Sequence, residues 1–130
     1  MASSSAPAAL LRRLSHLNGA TCTAIGLAHV LKGSDITAGA AAANASIDSQ
    51  EAFYGAIFAG YGAAWIWTAN QPQMSRELVR FLSGTMALGG VARLISMRRH
   101  GRPHPFWIAL TGVELVVPAA LVWLERDQQR

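Results

Sequence analysis

Two charged residues stand inside otherwise uncharged apolar stretches of this sequence, Arg93 and Glu114. A guanidinium and a carboxylate withdrawn from water can hold each other as an ion pair, or they can grip a polar ligand and move its proton. Charges at membrane depth cost about 2.5–3.5 kcal/mol on insertion scales, so they face a helix-bundle interior, usually in pairs. Glu51, Tyr54 and His29 are the other side chains able to bind or exchange a proton near the same segment ends. The candidate catalytic set is therefore Glu51, Glu114 and Arg93, because buried carboxylates suit general acid/base work. Glu51 or Glu114 would be the acid or base, His29 or Tyr54 its partner, and Arg93 the anion stabiliser. The candidate ligand-binding set is His29, Tyr54, Arg93 and Glu114. The plainer alternative is that Arg93 and Glu114 are structural glue and that Glu51 caps a helix.

Other chemistries find no support. Cys22 is the only cysteine, which excludes an internal disulfide and a cysteine-built zinc site. His100 and His104 have the i, i+4 spacing of a helical metal grip, but Gly101 and Pro103 oppose a helix there. Neither a phosphate loop nor a nucleophile elbow is present, so no metal and no cofactor are expected. The basic residues near segment ends suit lipid headgroups better than nucleic acid.

The elements that must position these residues follow from charge segregation. Charged residues are 14% of the 130-residue chain and hydrophobic residues 52%. Four stretches, 14–31, 53–69, 81–97 and 105–124, contain no formal charge besides Arg93 and Glu114. Each approaches the roughly 17–25 apolar residues that span a bilayer as a helix. A soluble bundle would show a charged face at a period of about 3.6 residues. FYGAIFAGYGAAWIWTA has no such face. Barrel strands would alternate between apolar and polar, and these runs do not. The expectation is an all-α integral membrane four-helix bundle, up-down-up-down, with helices over 14–31, 51–69, 78–97 and 105–124. A flexible N-terminal tail, 1–13, and a polar C-terminal tail, 125–130, would flank the 14–124 domain.

Helix boundaries come from local signals. Ser49 before Gln50 and Glu51 suits the start of the second helix, and the alanine-rich centre of the 32–50 loop suits a short interfacial helix. Pro72 ends the second helix, Ser75 can cap the third, and HGRPHP turns into the fourth. Phe53, Tyr54, Trp65, Trp67, Phe106, Trp107 and Trp123 cluster at segment ends as two aromatic belts. Ala52, Ala56, Gly60 and Ala64 form one small-residue stripe, and Gly55, Ala59 and Gly62 another. Small residues let helices approach closely in lipid, within the bundle or across a homo-oligomer face. With the N-terminus inside, six arginines (12, 13, 76, 80, 126 and 130) lie inside, against Lys32, Arg98, Arg99 and Arg102 outside. That excess favours cytoplasmic termini.

Arg93 and Glu114 can meet. Arg93 lies about 7 Å below the loop end and Glu114 about 14 Å, on antiparallel neighbours at 1.5 Å per residue. Pro118 deprives the Glu114 carbonyl of its helical partner. The ends of the first and third helices and the start of the second share one side. Glu51, Tyr54, His29 and Arg93 would then rim a small polar pocket with Glu114 as its floor.

Four short motifs carry a resemblance. Glu51-Ala52-Phe53-Tyr54-Gly55-Ala56, Gly89-Gly90-Val91-Ala92-Arg93-Leu94-Ile95-Ser96, His100-Gly101-Arg102-Pro103 and Gly112-Val113-Glu114-Leu115-Val116 occur in this order. Together they resemble the domain-of-unknown-function 4345 family of small membrane proteins, over roughly 14–124. His100 stands where that family usually has Asp, and Ala56 where it usually has Gly. The resemblance implies four transmembrane helices and brings no established activity. On the residues, the leading expectation is a membrane-embedded binding or accessory module for an amphipathic ligand, a lipid or a quinone. The alternative is a cofactor-free isomerase, cyclase or hydratase acting on a hydrophobic substrate.

Overall fold

Alanine, leucine and arginine near the N-terminus are strong helix formers, and in the computed structural model the first helix starts there. The structure describes residues 6–127. Helix α1 spans Ala6–Lys32, α2 Ala45–Asn70, α3 Arg76–His100 and α4 Pro105–Asp127, with a short 3₁₀ turn at Gly33–Ile36. No strand occurs among the described residues.

Several expected boundaries move. Residues 6–13 belong to α1, and residues 1–5 of the expected tail lie outside the described residues. The second helix begins at Ala45 because Asn44 makes the better cap: its side chain accepts from the amides of Ser46 (3.0 Å) and Ile47 (3.1 Å). The alanine-rich centre of the 32–50 loop is not helical; the short turn forms before it. At the other end α4 continues to Asp127, so Glu125 is a buried helix residue rather than part of a tail; 128–130 lie outside the described residues.

The remaining ends follow the sequence signals. Ser75 caps α3 by accepting from the Leu78 amide at 3.3 Å. Gly101, at φ +86°, stops α3 and returns its N–H to the Met97 carbonyl at 2.9 Å. Pro105 opens α4, where its missing N–H would have had no helical partner. His104 accepts from the Phe106 amide at 3.3 Å, which gives that histidine a capping role.

The helices pair as two antiparallel hairpins, α1 along α2 and α3 along α4. Glycines set the first pairing. A Cβ on Gly19 would lie 2.7 Å from the Gly62 carbonyl oxygen, and one on Gly26 would lie 2.5 Å from that of Gly55. The two glycine pairs are seven residues apart on each helix, two turns, so the backbones touch along one seam. The Gly55, Ala59, Gly62 stripe therefore faces α1. The Ala52 to Ala64 stripe turns away from the seam, and Gly60 on it meets nothing. In the second hairpin, Gly90 receives Leu115.

The hairpins join through α1 and α4, and more lightly through α2 and α3. Their shared core lies at the end where the described chain begins and ends: Leu11, Trp65, Val79, Leu82, Leu121 and Leu124 are buried together. Trp65 is thus a core residue and no belt member. Phe53, Tyr54, Trp67, Phe106 and Trp123 do point outward. Large apolar side chains point outward on all four helices, among them Leu17, Ile25, Ile57, Phe81, Leu88 and Val116. Two helices, α3 and α4, are long and apolar enough to cross a membrane, with mean hydropathy 1.4 and 1.9. Helix α1 carries Ser15, His16, Asn18 and two threonines, and α2 begins with Ser46, Asp48, Ser49 and Glu51, which dilutes both.

Candidate functional site

The loop end of the bundle is organised from one carboxylate outward. Asp48, in the first turn of α2, accepts from the Ser34 amide (2.8 Å) and the Ser34 hydroxyl (2.9 Å). Those bonds, the amide first, hold its carboxyl below the usual carboxylate range. They also lock the 3₁₀ turn onto α2, with Gly33 at φ +53° packed against Asp48. Because the turn is fixed, Thr37 and Ala38 just beyond it reach the helices. Thr37 donates to Glu51 at 3.3 Å, and the Trp107 indole N–H donates to the Ala38 carbonyl at 2.7 Å.

A histidine–carboxylate contact and an ion pair flank this loop. On the first hairpin, His29 Nδ1 lies 3.4 Å from Glu51 Oε2. On the second, Arg93 Nε donates to Glu114 Oε2 at 2.8 Å, from α3 to α4. Glu114 is nine-tenths buried, whereas the Arg93 side chain is 34% exposed. The Arg93 guanidinium also lies over the Trp107 ring, 4.9 Å from its centroid, a cation–π contact. Only Nε of Arg93 is committed; its terminal nitrogens have no partner among the described residues.

The result is one connected line: His29, Glu51, Thr37, then across Ala38 to Trp107, Arg93 and Glu114. Four of the five sequence-predicted residues, His29, Glu51, Arg93 and Glu114, therefore belong to one arrangement. Tyr54 does not join it. Its ring points outward, edge-on to Phe53 at 5.7 Å. Tyr54 immediately precedes Gly55, which faces the α1 seam, and the rotation of one helical position carries the phenol away from His29. Thr37, Ala38 and Trp107 escaped the sequence reading. Thr37 and Ala38 act from an irregular loop with no periodicity, and Trp107 reads from sequence as a belt aromatic.

The opposite end is polar as well. Glu125 is buried and takes Arg76 Nε at 3.0 Å on one oxygen and Arg80 Nε at 3.1 Å on the other. Arg12 donates to the carbonyls of Ala69, Gln71 (2.8 Å) and Pro72 (3.2 Å), which closes the C-terminal end of α2. Tyr61 donates to the Leu82 carbonyl at 2.8 Å and ties α2 to α3.

Chemically, the loop-end line offers a carboxylate–imidazole couple and a guanidinium with free donors beside a buried carboxylate. It can orient a polar head group that accepts hydrogen bonds. Neither a curated protein nor a solved structure matches the chain. A family profile does match, over residues 10–125, and it takes in both hairpins and every member of this line. The chain belongs to the family described as Domain of unknown function (DUF4345).

Proposed function

We propose that this protein is a four-span membrane module, with both termini cytoplasmic, that binds an amphipathic ligand such as a lipid or a quinone. The membrane part of the reading rests on the outward face. Large apolar side chains point away from the bundle on all four helices, while Arg93 and Glu114, the charges inside the apolar stretches, turn inward to each other. A water-soluble bundle would reverse that arrangement. The ligand part rests on Arg93. Its terminal nitrogens are donors, held in place by Glu114 on one side and Trp107 on the other. A carbonyl or carboxylate head would dock there with its apolar tail along the bundle.

The test is extraction of the purified protein with organic solvent, followed by mass spectrometry. The reading predicts one amphipathic species in near-equal ratio to protein, depleted in Arg93→Lys, which cannot reproduce the planar fork. Folded wild-type protein that releases no such species overturns it. A second reading is favoured by the placement of His29 Nδ1 3.4 Å from Glu51 Oε2, longer than a hydrogen bond but close enough to tighten into an acid/base couple when a substrate binds. In that reading the module is a cofactor-free isomerase, cyclase or hydratase. Turnover of the extracted species that survives Glu51→Gln intact would sink it.

A further inference from the structure

At the end of the bundle away from the loop line, α1 and the α2–α3 turn enclose a half-open cleft of about 590 Å³. Its size falls within the roughly 300–1,000 Å³ of small-molecule sites. Arg12, Arg13, His16 and Arg76 line it, over a floor that includes Leu11 and Val79. One carboxylate, Glu125, also lines it. That charge is already matched: its two oxygens are taken by Arg76 and by Arg80, which stands outside the cleft.

The guanidinium of Arg12 is fixed on neutral carbonyls, so its position is set and its charge is not cancelled. His16 Nδ1 donates to the Arg12 carbonyl at 3.0 Å, which holds the ring beside it. Arg13 is exposed and has no partner among the described residues. The lining thus keeps a positive excess at a place where the donors are pre-positioned and the floor is apolar. Arginine forks match phosphate oxygens in pairs, and an apolar floor accepts the carbon skeleton behind them.

We infer that this cleft is an anion site for a phosphate-bearing group, formed chiefly by Arg12, Arg13 and Arg76. The phosphate comes either from an anionic phospholipid headgroup or from a phosphorylated solute; the first source rests on the membrane reading above.

The experiment uses the full-length protein in two arms. In the first, protein is reconstituted with equal phosphatidylglycerol and phosphatidylcholine, and retained lipids are counted by native mass spectrometry. In the second, lipid-free protein in neutral detergent is heated with and without inorganic phosphate. Arg13→Gln is the variant, since an exposed, unpaired side chain can be exchanged without disturbing the core; Arg13→Lys is its charge-keeping control. A preference for phosphatidylglycerol that falls about fivefold in Arg13→Gln and survives in Arg13→Lys supports the headgroup source. A phosphate-induced rise in melting temperature that is lost in Arg13→Gln supports the solute source. Wild-type protein with neither response overturns the inference, as does a response that Arg13→Gln leaves unchanged. Flotation of the same samples with vesicles reports membrane insertion separately. Protein that floats but shows no anion response contradicts the cleft and leaves the membrane reading standing.

Discussion

Replacing Arg93 with alanine strands the Glu114 carboxylate, and the structure sets how large the effect should be. The bond between them is 2.8 Å long and charge-assisted at both ends. Breaking a buried pair by removing one partner costs about 3–5 kcal/mol when the orphan stays buried. Glu114 meets that condition, being 8% exposed, so Arg93→Ala should lose about 3 kcal/mol. The reverse change is different. Arg93 in Glu114→Ala keeps its stacking on Trp107 and is one-third exposed already, so it can turn toward water or headgroups. About 1–2 kcal/mol is the expected loss there, because exposed charges tolerate the absence of a partner. Glu114→Gln should lie below both, since the amide oxygen still accepts from Arg93. The assay is thermal unfolding of detergent-solubilised protein followed by tryptophan fluorescence, with the Arg93→Ala/Glu114→Ala double variant completing the cycle. The double variant should lose less than the sum of the singles by about 1–3 kcal/mol. Equal losses in the two singles that add in the double would refute both the pairing and the asymmetry.

The glycine seam predicts a contrast: Gly26→Ala, whose new Cβ would lie 2.5 Å from the Gly55 carbonyl, should separate α1 from α2 and lower folded yield strongly. Gly60→Ala, with nothing within 4 Å, should be neutral or stabilising by up to ~1 kcal/mol; both read out as melting temperature. Trp107→Phe keeps a ring under Arg93 but loses the bond to Ala38, so limited proteolysis should cut the 37–44 loop faster while the core stays intact. Asp48 has a folded-state pKa below its unfolded one, so its support of the Gly33–Ile36 turn is present above the ordinary carboxylate range and fades as pH falls through the depressed value. Hydrogen exchange at the Ser34 amide should therefore differ between wild type and Asp48→Asn at neutral pH and converge in strong acid.

The central stretches of all four helices were legible because lipid-like runs bounded by Pro72, Ser75 and HGRPHP leave few alternatives. The Arg93–Glu114 pair was legible for a related reason: two charges in such runs on adjacent antiparallel helices have few places to go. The helix ends were harder. Ala6–Arg13 reads as a tail by composition, but its arginine at position 12 finds the open carbonyls at the end of α2, a long-range partner that local pattern does not reveal. Asn44 stands in a loop by composition, five residues before the expected start at Ser49, and acts as the helix cap. Glu125 reads as polar terminus and is buried, its two oxygens paired with arginines at the start of α3, the far end of its own hairpin along the chain. Tyr54 shows the limit of reasoning by proximity along the chain. It stands three residues from Glu51 and one from the seam, and helical rotation still carries it outward.

The four-span reading is tested most directly by single spin labels at four outward positions, in a Cys22→Ala background reconstituted into vesicles. Ile25→Cys and Ile57→Cys report on the first hairpin, Leu88→Cys and Val116→Cys on the second, and all four native side chains point away from the bundle. Every label should be relaxed by dissolved oxygen, which concentrates in the bilayer, and shielded from a polar nickel chelate. Labels at Ile25 and Ile57 that meet the chelate freely, while those at Leu88 and Val116 do not, would contradict the four-span reading and leave two spans, α3 and α4, in the membrane.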